Sequence, residues 1–301
     1  MQSLTSRLYY FIIKRKLKQM RALNLPLPVA RALGDKNAPR LFKMPSGIAT
    51  ELTQIQSLDA EWLRPETGRG QGILLYLHGG AYVQGSVKSS RALAARLAKA
   101  SRTATLSLGY RLAPENPFPA GLDDAFAVYC ELLTAYPGQP IALVGDSAGG
   151  GLCLALAMRL RDAGVRAPAG MALLSPWTDL TLRNPTHASK AAVDPFFVDR
   201  SLLDTAAAAY AASHDRQHPS ISPQFARLHD LPSTLIHVGD LEALLDDALI
   251  LARRMTEHGT SVELKVYSGM WHVWQIFGGK FREADQSLFA LGAFLHARLN
   301  P

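Results

Sequence analysis

The stretch IALVGDSAGGGLCLALAMRL, residues 141–160, holds one serine, with Gly145 and Gly149 two positions to either side of Ser147. Four apolar residues precede it and a long apolar, helix-like run follows. Glycine on both flanks lets a chain turn sharply from a strand into a helix and lift the serine Oγ above a sheet. The first N–H groups of the following helix then point at the same spot and favour developing negative charge. A Gly-rich turn with a capping serine would share this spelling, so the surrounding sequence has to decide.

Working outward, short apolar runs alternate with helical ones. Two β-like runs lie near residues 51–56 and 59–64, followed by the buried-strand pattern GILLYLHGG and the helical SSRALAARLAKAS. Then come the strand TATLSLGY, the helix GLDDAFAVYCELLTAY, the IALVG strand with its helix, and the strand GMALLSPW. TLIHVGD, EALLDDALILARRMTEHG, VELKVYSG and EADQSLFALGAFLHARL close the chain as strand, helix, strand and helix. This alternation predicts βαβ units and a mostly parallel eight-stranded sheet covered by helices on both faces. It breaks once, over residues 178–232, which read as helix and loop with no strand. That insertion and the N-terminal helix are the material for a cap.

At 301 residues the chain is one large domain or two small ones. No apolar run reaches the ~20 residues that a membrane span needs. The N-terminal LYYFII precedes a basic cluster and has no small-residue cleavage site, the wrong order for a secretory signal. The expected mature protein starts near Met1 and is cytoplasmic. The formal net charge is +7, with much of the excess at Arg7, Lys14, Arg15, Lys16, Lys18 and Arg21. Leu4, Leu8, Phe11 and Ile12 recur at helical spacing there. They are expected to pack on the protein's own body and leave a solvated basic face, so neither nucleic acid nor membrane contact is expected. Cys130 and Cys153 lie in apolar helices and read as small buried hydrophobes. No disulfide, metal or cofactor is expected.

Ligands of open α/β sheets bind beyond the carboxyl ends of the strands, so the residues there carry the chemistry. A serine nucleophile needs a base. Of nine histidines, only His272 lies in the loop after the last strand. The base needs an orienting acid. The loop after the seventh strand offers Asp240 and Glu242, with Asp246 and Asp247 further into the helix, and Asp240 also reads as that helix's N-cap. Oxyanion donors are expected from the third strand's end, His78-Gly79-Gly80-Ala81, and from the N–H of Ala148. His78 reads as a loop organiser.

These motifs together resemble the hormone-sensitive lipase-like family of α/β-hydrolases, the bacterial family IV esterases. The resemblance covers about residues 48–300 and rests on HGGAYVQGS, YRLAPENPFPAGLDD, GDSAGG, SPWTDLT, LLDDA and WHVW in that order. It implies an α/β-hydrolase fold with a helical cap: 1–47 as N-terminal cap helices, 48–177 and 233–301 as catalytic domain, and 178–232 as cap insertion. It also implies a carboxylesterase acting on short- to medium-chain esters through an acyl-enzyme. In the family the acid precedes x-Leu-x-Asp, which aligns Glu242 with that role. The third position of the oxyanion loop is Ala81 where many relatives have Gly, which favours Gly79 and Gly80 with Ala148 as donors.

The expected site is therefore Ser147, Glu242 and His272, with an apolar acyl pocket drawn from Tyr82, Trp177, Phe196, Phe197, Trp274 and Phe277. A small-molecule ester is the expected partner. A lactone hydrolase, a small-metabolite deacetylase or a lipase would use the same triad. A receptor on the same fold would have lost His272. The sequence leaves the oligomeric state open, a homodimer included.

Overall fold

The structure, a computed structural model, describes residues 2–68, 70–197 and 200–300. The outermost residues of the expected 1–47 and 233–301 segments, one residue of the expected 48–177 segment and two of the expected 178–232 insertion lie outside the described residues.

Eight strands form one sheet: β1 (Ile48–Ile55), β2 (Leu58–Pro65), β3 (Ile73–Leu77), β4 (Ala104–Leu108), β5 (Ile141–Asp146), β6 (Met171–Leu174), β7 (Thr234–Gly239) and β8 (Val262–Tyr267). Their order is β1-β2-β4-β3-β5-β6-β7-β8. The β1/β2 and β2/β4 pairs are antiparallel, and all pairs from β4 to β8 are parallel. The central strands are predominantly apolar because both faces are covered. Every residue of β3, β4, β5, β6 and β7 is buried.

The covering helices are α3 (Val87–Ser101), α4 (Ala120–Ala135), α5 (Ala148–Asp162), α8 (Leu245–Glu257) and α9 (Arg282–Leu299). One cluster, on one face, includes Leu75, Leu77, Leu143, Leu152 and Leu173; the other includes Leu74, Tyr76, Val144, Leu93 and Leu291. Alternation along a strand sends successive side chains to opposite faces, which is why Leu74 and Leu75 belong to different clusters.

Outside this frame lie α1 (Leu4–Ala22), α2 (Leu27–Leu41), α6 (Thr186–Ser189) and α7 (Arg200–Ala211). The Pro-punctuated segment before β1 is thus helical as well. Pro28 sits in the first turn of α2, where its missing N–H would have no acceptor anyway, and Pro39 falls in the last turn.

The expected packing of α1 is corrected by the structure. Its inward face is Ser6, Tyr9, Tyr10, Ile13 and Leu17, with Ile13 in a cluster with Trp271, Trp274 and Phe281. Leu4, Leu8, Phe11 and Ile12 face outward, 82%, 59%, 64% and 41% exposed. Polar anchors select the face. Glu283 accepts from the N–H and hydroxyl of Ser3, Tyr10 donates to the carbonyl of Val193, and Lys14 donates to that of Ala192. Arg21 donates to the carbonyls of Pro195 and Phe196.

Residues 178–187 are stitched to the start of α8. Buried Asp247, in the first turn of α8, accepts the N–H groups of Thr178 and Asp179 at 2.8 Å each. It also bonds Asn184 at 3.0 Å and His187 at 2.6 Å. No helix among the described residues is long and apolar enough to cross a membrane.

Candidate active site

Ser147 stands between β5 and α5 with φ 55° and ψ −123°, the sharp strand-to-helix turn expected from its flanks. Both glycines are fixed by close approach. A Cβ on Gly145 would lie 2.4 Å from the carbonyl oxygen of Gly149, and one on Gly149 would lie 2.0 Å from that of Leu77. Backbone bonds hold the turn: Ser147 N–H donates to Leu174 O at 2.8 Å, and Trp177 N–H donates to Ser147 O at 3.0 Å.

His272 follows β8, and its Nε2 is 2.9 Å from Ser147 Oγ. Its Nδ1 is 3.1 Å from Glu242 Oε2. The other carboxylate oxygen accepts from Gly239 N–H at 2.6 Å and from Ser175 Oγ at 2.8 Å. Ser175 Oγ in turn accepts from Val273 N–H at 3.2 Å, beside the imidazole. Ser147 and His272 are only 5% and 4% exposed, and Glu242 is fully buried. Burial alone would lower the His272 pKa. The hydrogen bond and charge of Glu242, helped by the charges of Asp194 and Asp146, outweigh it and leave His272 above its ordinary 6.5.

Asp240 does not cap α8, whose first residue is Leu245 and whose N-cap is Leu244. A turn separates strand and helix, so the Asp240 carboxylate accepts instead from Gly269 N–H at 2.7 Å. It braces the loop that carries His272.

One expected oxyanion donor is corrected. Gly79 N–H donates to Asp146 Oδ1 at 3.1 Å and so is already engaged. Asp146, buried beside the nucleophile, also accepts from Tyr76 OH at 2.5 Å. The N–H groups of Gly80 and Ala81 meet no acceptor among the described residues. Ala148 opens α5, where a backbone N–H has no intrahelical partner. Ala81 has φ 54°, a left-handed conformation that explains a preference for Gly there. His78 is a buried brace: its ring stacks on Tyr110 at 4.4 Å, and its carbonyl accepts from Tyr110 OH at 2.7 Å. Further along, on the first turns of α4, Asp124 pairs with Arg111 and Asp123 with Arg159.

The six expected pocket aromatics separate. Phe197 and Phe196 set their rings edge-on to His272, at 4.7 and 6.0 Å. Tyr82 is buried and stacked on Tyr210 at 3.8 Å. Trp177 is fully buried, with its indole N–H on Asp179 O at 3.0 Å. Trp274 is fully buried and donates to Glu283 O, while Phe277 packs against Tyr9 and Phe42. These last two belong to the seat of α1.

Two residues near the site were assigned no role from the sequence, although the first opens the SPWTDLT motif. Ser175 is one. Asp194 is the other: fully buried, it accepts from Phe196 N–H and from Ala243 N–H, both at 2.9 Å. It ties the aromatic pair beside His272 to the residue after Glu242. Burial chiefly, and then the charge of Glu242, push its pKa up to about 6 against the opposing pull of His272 and the two N–H groups. His237, by contrast, is a core histidine in β7, lowered to about 3 by burial.

Residues 74–276 match a family described by the alpha/beta hydrolase fold. An acetyl-hydrolase from Streptomyces hygroscopicus is 41% identical over 237 residues, 78% of this chain and 79% of its own. An esterase from Acinetobacter venetianus is 32% identical over 292 residues, 95% of either chain. Among solved structures, a hormone-sensitive lipase from a metagenome library superposes with a TM-score of 0.92 at 39% identity, over 97% of this chain and 98% of that one. The esterase EstE5, soaked with p-nitrophenyl butyrate, gives 0.91 at 35% identity over the whole of both chains.

Proposed function

The chain belongs to the α/β-hydrolase family and is a carboxylic ester hydrolase, and from that premise we propose that it cleaves short-chain esters with Ser147, His272 and Glu242 as its triad. The observation that carries the proposal is the continuous relay from Ser147 Oγ through both imidazole nitrogens to a buried carboxylate, at 2.9 and 3.1 Å.

In this reading Ser147 Oγ attacks the ester carbonyl carbon as its proton passes to His272 Nε2. Glu242 holds Nδ1–H, so that Nε2 is free to accept, and stabilises the imidazolium that forms. The oxyanion is received by the N–H groups of Gly80, Ala81 and Ala148. The tetrahedral intermediate collapses, the C–O bond to the alcohol breaks, and the leaving oxygen takes the proton from His272. Water then attacks the acyl-enzyme, giving its proton to His272. Collapse of the second intermediate returns that proton to Ser147 and releases the acid. A neutral His272 is needed at both attacks.

Short acyl groups, acetyl to butyryl, suit the site because Phe196 and Phe197 crowd His272 and the nucleophile is almost fully covered. The acetyl-hydrolase relative and the butyrate ester used with EstE5 point the same way. The test is kcat/KM over a nitrophenyl ester series of increasing acyl length. A maximum at two to four carbons is expected. A rise toward the longest chains would instead favour a lipase.

A further inference from the structure

The net charge of this chain comes from one end. Seven of its 32 Lys and Arg residues, and none of its 25 Asp and Glu residues, lie in the first 34 positions. The whole excess of +7 therefore sits there, and the remainder of the chain is balanced. Most of it is on α1. Lys14 and Arg21 are used inward, on the carbonyls of residues 192–196. Arg7, Arg15, Lys16 and Lys18 are exposed.

The same outward face carries apolar bulk with nothing over it. At 100° per residue, Leu4, Leu8 and Phe11 form one stripe, which Arg15 continues; Arg7 and Lys18 flank it on one side, and Ile12 and Lys16 on the other. Leu4 is 82% exposed, Phe11 64% and Leu8 59%. The helix cannot simply roll to hide them, because both of its ends are tied down. Ser3 is held by Glu283, Gln2 by the carbonyl of Gly269, and Arg21 by Pro195 and Phe196.

We propose that the outward face of α1 docks this enzyme on an anionic lipid bilayer. A fixed helix with apolar side chains ringed by cations and free of carboxylates suits the headgroup boundary: the apolar tips enter the acyl layer and the cations meet lipid phosphates. A second copy of the chain fits less well, since a self-complementary contact would set the same cations against one another. Nucleic acid would leave the apolar stripe in water. The earlier expectation against membrane contact assumed that Leu4, Leu8, Phe11 and Ile12 pack inward, and they do not. Through residues 192–196, which lead into the phenylalanines beside His272, the docked face lies over the roof of the site.

The experiment is co-sedimentation of the full chain with vesicles of phosphatidylcholine alone and of phosphatidylcholine with phosphatidylglycerol. Hydrolysis of a water-soluble ester and the sedimentation-velocity mass are followed alongside. Binding to the anionic vesicles at low salt is expected, falling steeply as salt is raised. Arg15→Glu/Lys16→Glu/Lys18→Glu should weaken it by about a hundredfold, from about fivefold for each of the three cations lost. Leu8→Glu/Phe11→Glu should abolish it while leaving hydrolysis of the soluble ester unchanged. The proposal is overturned if the wild-type chain stays in the supernatant at low salt, or if either variant binds as before. It is equally overturned if Leu8→Glu/Phe11→Glu converts a dimer to a monomer, which would assign the face to a second copy. None of these readouts depends on the triad, so failure here leaves the esterase reading untouched.

Discussion

Replacing Glu242 by Gln tests the relay through the tautomer it imposes. Glu242 Oε1 faces two groups, Gly239 N–H at 2.6 Å and the Ser175 hydroxyl at 2.8 Å. The backbone N–H can only donate, so in Glu242→Gln the amide oxygen must stay on that side. The amide NH2 then occupies the place of Oε2, 3.1 Å from His272 Nδ1. An NH2 there requires Nδ1 to accept, which places the ring proton on Nε2, pointing at Ser147 Oγ. The base is thereby blocked without any change of shape. In a serine protease the equivalent Asp-to-Asn change costs about 10⁴ in kcat, or about 5 kcal/mol of barrier, and a similar loss is expected here. Removing the carboxylate also removes what holds the His272 pKa up, so burial prevails. The acid limb of kcat/KM, above pH 6.5 in the wild type, should move to lower pH in the residual activity. Asp240→Asn is the control. Its amide oxygen can still accept from Gly269 N–H, and activity should stay within about threefold, the scale of a neutral hydrogen bond weakened but kept. Both are measured on p-nitrophenyl acetate, with circular dichroism to confirm folding. Loss of less than tenfold in Glu242→Gln, or a larger loss in Asp240→Asn, refutes the assignment of the acid.

Ser147→Ala should keep the melting temperature and lose roughly 10⁴–10⁶ in kcat, as when a serine triad loses its nucleophile; turnover retained in the folded variant would remove Ser147 from the mechanism. Ser175→Ala takes one of three hydrogen-bonding partners from Glu242 and the acceptor from Val273 N–H. Bonds to a charged group contribute about 1.5–3 kcal/mol, so kcat should fall about 10- to 100-fold with KM little changed. A change in KM alone would mean that Ser175 acts on substrate and not on the acid. Asp194→Asn turns an amide NH2 toward one of two backbone N–H groups, leaving a buried donor unpaired. It should cost about 1–3 kcal/mol in stability, read as a melting temperature lower by several degrees; an unchanged melting curve would show that the bridge carries no strength.

What the sequence disclosed depended on how far each signal travels along the chain. The nucleophile turn is legible because Gly145, Ser147 and Gly149 are near neighbours and their constraints are local: close backbone contacts and a positive φ at the serine. The strands are legible because burial on both faces leaves them predominantly apolar. His272 followed from chain order alone. Glu242 required the alignment with relatives, since Asp240 and Glu242 stand two residues apart and nothing local tells which one turns inward. The roles of Ser175, which opens the SPWTDLT motif, and of Asp194 are not legible because their partners lie 67 and 49 residues away.

The errors share a physical cause. Gly79 was favoured as a donor over Ala81 on the strength of a missing Cβ, yet what matters is where the N–H points. A carboxylate on a different strand, Asp146, decides that. On α1, hydrophobic periodicity picks out Leu4, Leu8, Phe11 and Ile12, and burial was inferred from it. The buried face instead carries tyrosines, Ser6 and Ile13, because Ser3, Tyr10, Lys14 and Arg21 each find a distant polar partner on that side. A periodic apolar stripe therefore reports that a face prefers to leave water, not which surface receives it. On α1 those preferences are already met on the opposite face, and the stripe left over, set among cations, is apolar surface that the packing of α1 does not use.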